Sequence, residues 1–193
     1  MERSLNIVRF LKAANAKVLT LMAPRPNPDQ PLEEEGDIIP VATAYGEIAR
    51  RTLELNILPC LHPDTASLVN DARSLDRFLG HSDPAAMKLC VDAGVLAMAQ
   101  LPPAKFVREH RKRIGSVHLR DLKPGAGRRR KEPRFQTVEL GRGTLDLPAF
   151  VNALLSAEFT GWTTVELERT GRSLAQQAAA SYEYAAHTLD LVL

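Results

Sequence analysis

The run Gly115-Ser116-Val117-His118-Leu119, closed by Arg120-Asp121, is the stretch on which the reading of this chain turns. Apolar and small or polar positions alternate along it, as they do on a strand, and a polar turn follows. Side chains two apart on a strand share a face, so Ser116 and His118 point one way and Val117 the other. The same order of small residue, branched apolar residue and polar donor recurs at Cys60-Leu61-His62, Cys90-Val91-Asp92 and Thr164-Val165-Glu166. Such a repeated register predicts one face turned into a crowded interior of small side chains and another packed on helices.

Working outward, five strands are predicted, at 17–23, 56–61, 87–91, 115–119 and 162–167. Helical patterns separate or follow them over 41–55, 72–79, 102–114, 147–157 and 173–193, with Pro148 near the start of its helix, where proline is tolerated. The β-α-β-α rhythm predicts an α/β fold with a parallel sheet covered by helices. Pro24–Asp37, with four prolines and then Glu33-Glu34-Glu35, reads as a surface loop, as does the glycine-rich and basic stretch Lys123–Gly143. His62, Asp92, His118 and Glu166 then fall at the carboxyl ends of their strands, where parallel α/β folds bind ligands.

Composition narrows the classes. The 193 residues fit one domain, and 45% hydrophobic with 25% charged residues are the proportions of an ordinary globular protein. A net charge of +2 gives no general pull toward nucleic acid or membrane. The longest apolar runs, such as Val18–Ala23 and Met87–Val91, fall far short of the roughly 18 residues a spanning helix requires. Met1-Glu2-Arg3-Ser4 lacks the basic-then-apolar order of a secretory signal. The two cysteines, Cys60 and Cys90, lie in apolar strand-like runs and read as reduced core residues, which points to the cytoplasm.

Two imidazoles and two carboxylates converging on one rim suit a divalent cation, with imidazole and carboxylate together favouring Mn, Zn, Co or Fe. The competing reading is four unrelated strand-end polar residues; the shared register favours the metal. Glu168 lies on the same strand face as Glu166 and is either a substrate contact, a metal ligand or a solvated charge. Arg142, between Gly141 and Gly143, is placed to clamp a phosphate or carboxylate, or else is simply exposed. Trp162 reads as a packing residue at the start of the last strand.

The stretches HPDTASLVND (62–71), SDPAAMKLCVDAGVL (82–96), RIGSVHLRDLKPG (113–125) and FQTVELGRGTLDLPAFVNALLSAEFTGWTTVELE (135–168) resemble the sugar phosphate isomerase/epimerase family. Within that family the inosose dehydratases are nearest in pattern. The most specific part is the G-x-G-x-[IL]-D element at Gly141–Asp146 with the amphipathic helix that follows and Gly161-Trp162 before the last strand. The resemblance implies a partial, xylose-isomerase-like (β/α) TIM-type barrel. Its five parallel strands would correspond to the last five of eight, in a single domain over 1–193 truncated at its N-terminus relative to the family. It implies one divalent ion (Mn, Zn, Co or Mg) held by His62, Asp92, His118 and Glu166. The activity implied is isomerisation, epimerisation or dehydration of a small polyol, keto-sugar or cyclitol through an enediolate. Glu166, Glu168 and Asp64 would be its catalytic groups, and Arg142, Arg120 and Asp64 would contact substrate.

Departures from the pattern qualify this. Val95 stands where the family often has a histidine in Asp-x-Gly-His, Asp64 where relatives commonly have His, and Arg120 where they have Lys. An eight-stranded barrel needs about 200 to 250 residues. The chain is therefore a fragment, a rearranged half-barrel or one that pairs with a second copy as a homo-oligomer. A degenerate barrel serving as a binding module is the alternative function. Arg128-Arg129-Arg130-Lys131 raises a third, an abasic-site endonuclease, since the DNA-cutting endonuclease IV shares this barrel. That enzyme requires more ligands than the chain offers, and the basic run lacks interleaved aromatics.

Overall fold

A computed structural model describes residues 2–26, 38–125, 134–168 and 172–191. The basic run Arg128–Lys131 and the triplet Glu33–Glu35 lie outside the described residues. Two compact units make up the chain, Met1–Val91 with Lys112–Ser116, and Asp92–Arg111 with Val117–Leu193.

The first unit alternates helix and strand: α1 (Glu2–Ala13), β1 (Val18–Met22), α2 (Ile38–Leu53), β2 (Leu58–His62), α3 (Ala72–Gly80) and β3 (Lys88–Asp92), whose last residue belongs to the second unit. β1 pairs in parallel with β2, Met22 opposite His62, and β2 pairs in parallel with β3. Helix α3 starts at Asp71, whose carboxylate accepts the Ser74 N–H at 2.8 Å while the Ser74 hydroxyl accepts the Asp71 N–H at 3.1 Å. That reciprocal cap satisfies two N–H groups a helix start otherwise leaves open. Its apolar face buries Leu75 and Phe78, and the Tyr45 ring of α2 meets Phe78 edge to face with centroids 6.2 Å apart. Burying a side chain the size of Phe78 contributes about 1.5–3 kcal/mol. Gly115, one residue before Ser116, answers a steric demand. A Cβ on Gly115 would sit 2.7 Å from both Cys60 Sγ and Lys88 Cβ.

The second unit holds α4 (Ala93–Met98), α5 (Pro103–His110), the second half of β4 (Ile114–Leu119), β5 (Asp121–Pro124), β6 (Phe135–Val138), α6 (Leu147–Ser156), β7 (Trp162–Val165) and α7 (Leu174–His187). Asp146 caps α6 by accepting the Ala149 N–H at 2.9 Å, and α6 buries Leu147, Phe150, Val151 and Leu154. α7 starts at Ser173, again in a reciprocal cap, with Gln176. Its buried face is small and polar, and Ser181 Oγ accepts the Leu140 N–H at 3.2 Å.

Five strands share one sheet in the order β1-β2-β3-β4-β7. The α/β class, the five strands and their helices agree with the sequence reading to within a few residues at each end. Three points correct it. Asp121–Pro124 and Phe135–Val138 form a two-stranded antiparallel ribbon, Asp121 opposite Val138, where the reading placed only a loop. Hydrophobic alternation is too brief in four-residue strands to stand out from a glycine-rich, basic context. Second, Thr164 and Val165 are exposed rather than buried, unlike their counterparts Cys60 and Leu61 in β2. Third, Trp162 is 64% exposed. It borders an apolar hollow of about 590 Å³ with Leu154, Leu155, Phe159 and Leu191. β7 ends the sheet order, and among the described residues no further strand pairs with its outer side. Helix α1 also precedes the first element that the sequence reading assigned. Among the described residues no helix is long and apolar enough to cross a membrane.

Candidate metal centre

Asp92 is the last residue of β3 and the N-cap of α4, and both roles follow from its position. Its Oδ1 accepts the Val95 N–H at 2.9 Å, and its Oδ2 accepts from Arg120 Nε at 3.0 Å. His118 sits one residue before the end of β4, and Glu166 follows the end of β7, its N–H donating to Leu119 O at 2.9 Å. This backbone bond brings the two strand ends side by side. His118 Nδ1 lies 2.6 Å from Glu166 Oε2 and 4.0 Å from Asp92 Oδ2. Asp92, His118 and Glu166 each present one ligand atom within 4.8 Å of the others. One imidazole and two carboxylates at that spacing fit a divalent cation of the Zn or Mn type.

Arg120 organises the anionic side of this cluster. It is largely buried, and its guanidinium reaches three carboxylates: Asp92 through Nε, Glu168 through Nη1 at 2.9 Å, and Glu166 through Nη2. The His118 imidazole, with Arg120 behind it, holds the Glu166 carboxyl down to about 2 despite its partial burial. Glu166 is therefore ionised at neutral pH. Burial works against the Arg120 charge, yet Asp92 and Glu166 outweigh it and raise the guanidinium's pKa above its ordinary value. Glu168, three residues beyond the end of β7, meets the same guanidinium as Glu166 and is two-thirds exposed.

The remaining residues singled out from the sequence are placed as follows. His62 closes β2 in the first unit and is 5% exposed. Asp64 lies in the turn after β2, where its Oδ1 accepts the Ala66 N–H at 2.8 Å. Arg142 is exposed, its N–H donating to Glu139 O at 3.0 Å. Val95, standing where a histidine was expected from the resemblance, is 4% exposed and belongs to the core.

Asp121 is the residue that the sequence reading undervalued. It is 1% exposed, and its carboxylate accepts N–H bonds from Leu122 at 2.9 Å, Gly141 at 3.0 Å, Gly143 at 2.9 Å and Leu145 at 3.3 Å. The Gly141-Arg142-Gly143 turn is thus wrapped around one buried carboxylate. A Cβ on Gly143 would overlap that carboxylate, and Gly141 has φ of 78° with the Tyr184 ring packed against it. Paired glycines beside a strand-end Asp were the available signal.

The model of a family described as xylose isomerase-like TIM barrel matches residues 1–188. An inosose dehydratase of Clostridium tetani is 24% identical over 150 residues, covering 73% of this chain and 50% of that protein. The rhizopine catabolism protein MocC of Rhizobium meliloti is 24% identical over 139 residues, 65% of this chain and 42% of its own. The chain spans about half the length of the curated relatives it matches. Among solved structures, the IolI protein with a binding zinc atom superposes with a TM-score of 0.79 at 15% identity, over 98% of this chain and 68% of that one. An L-ribulose 3-epimerase gives 0.78 at 14%, over 98% and 66%.

Proposed function

Because the chain belongs to the xylose isomerase-like TIM barrel family, we propose that it serves a metal-dependent isomerase, epimerase or dehydratase acting on a small polyol, keto-sugar or cyclitol. The observation that carries the reading is the convergence of Asp92, His118 and Glu166 ligand atoms within 4.8 Å at adjoining strand ends. The named activities of the relatives, inosose dehydratase and L-ribulose 3-epimerase, supply the substrate class. His62 joins the ligand set on the strength of the strand register.

When bound, the divalent ion would supply Lewis-acid polarisation of a carbonyl oxygen and its neighbouring hydroxyl. The chain's own residues do the rest. Glu168, exposed and oriented by Arg120, takes the proton from the carbon beside the carbonyl, which yields an enediolate. Return of that proton to the other face gives an epimer, and return to the neighbouring carbon an isomer. Loss of a β-hydroxyl as water gives the dehydrated product. Asp64 is the second base considered, and Arg142 the contact for a substrate oxygen or phosphate. Buried, reduced Cys60 and Cys90 are consistent with the cytoplasm.

The test is to assay purified protein, loaded with Zn or Mn, on inosose stereoisomers and a panel of ketohexoses. Solvent-deuterium incorporation into substrate is the readout, since it reports proton abstraction whatever the product. Metal uptake without any exchange or turnover across the panel would sink the enzymatic reading and leave a binding module.

A further inference from the structure

We propose that Arg120 is a positioning residue whose guanidinium sets Asp92, Glu166 and Glu168 in the arrangement that accepts one divalent cation. The proposal rests on the metal reading above. Each guanidinium nitrogen serves a different carboxylate, Nε serving Asp92 at 3.0 Å, Nη1 Glu168 at 2.9 Å and Nη2 Glu166. These partners stand 28, 48 and 46 residues away along the chain, so one side chain ties its own segment to two others, at Asp92 and at Glu166–Glu168.

Charge and acceptor capacity both favour a clamp over a competitor for the site. Three carboxylates and one guanidinium leave two negative charges, which one divalent cation neutralises. Each ionised carboxylate has about four lone-pair positions. Asp92 and Glu166 can therefore accept from Arg120 and still offer an oxygen to a metal. Partners of this kind, hydrogen-bonded to the ligands rather than to the ion, fix ligand orientation.

The arginine is itself held in place. Its stem lies across Gly94 of α4, where an added Cβ would fall 2.5 Å from Arg120 Cδ and 2.9 Å from Cγ. A near-stem clash cannot be relieved by swinging the tip alone. Gly94 is thus the seat of Arg120, an assignment independent of the ion pairs. Lysine in its place carries the charge on one point and cannot span three carboxylates.

The experiment titrates the chelator-stripped 193-residue chain with Zn²⁺ alone, by competition with a chromogenic chelator, for wild type, R120K and G94A. R120K keeps the charge and most of the stem, and G94A keeps Arg120 itself, so each preserves the fold by a different route; far-UV circular dichroism and the metal-free urea midpoint check this. The expected result is Zn²⁺ affinity ~10- to 100-fold weaker in both variants. Equal or tighter binding in the variants, beside a wild type that binds, overturns the clamp and leaves the metal centre standing. A wild type that takes up no Zn²⁺ overturns the metal reading and this proposal together.

Discussion

The Gly143 N–H donates to Asp121 Oδ2 at 2.9 Å, across 22 residues of sequence. The bond couples the first residue of β5 to the turn that carries Arg142. Gly143→Ala places a methyl group on the Asp121 carboxylate and near Leu122 O. We expect destabilisation of about 1–3 kcal/mol from overpacking. Asp121→Asn, which turns an NH2 toward N–H groups, is expected to cost about 1–3 kcal/mol for each donor left unmet. Urea unfolding followed by circular dichroism measures both. A midpoint unchanged in both variants would mean that the turn is held by something else.

Asp92→Ala and His118→Ala are expected to lose bound metal, while wild type retains close to one ion per chain. Elemental analysis after gel filtration reads this directly. His62→Ala separates the register argument from the geometric one. Full metal retention in that variant would remove His62 from the ligand set without touching the other three.

The cap of α3 makes a pH-dependent contribution. The Ser74 N–H and hydroxyl hold the Asp71 carboxyl below its ordinary value of 3.8. A lowered native pKa means stability that is present above the unfolded value and lost as pH falls through the native one. Asp71→Ala should therefore cost about 1 kcal/mol at neutral pH. That gap should narrow as the pH drops below ~4, where unfolded Asp begins to protonate. The gap between Asp71→Asn, which keeps an acceptor but cannot titrate in this range, and Asp71→Ala should show no such narrowing. Paired urea midpoints at neutral and acid pH decide it.

Neither thiol should react in the native state. Burial pushes the Cys60 thiol up to about 11, and both cysteines are fully buried. Ellman's reagent at pH 8 is expected to titrate no thiol before denaturant and two after it. Rapid modification of either cysteine in folded protein would contradict the packed interior beside Gly115.

Legibility from sequence followed the range of the interactions involved. Strand alternation is local, so Cys60, Cys90 and Ser116 could be placed on the same face as His62, Asp92 and His118 with no partner known. Thr164 misled because its exposure depends on β7 being the last strand in the sheet order, which composition does not record. Trp162 misled for the same reason. Arg120 was legible only as a departure from a family pattern, since its three partners lie on other segments.

What the amino-acid order determined alone is which residues stand at strand ends and which face they share, because backbone geometry imposes a period of two on any strand. What only the folded chain decided is how those ends are used. Arg120 gathers three carboxylates, and Asp121 turns away to hold a glycine loop. Both outcomes depend on groups at least 20 residues distant, brought within hydrogen-bond reach by packing rather than by local propensity.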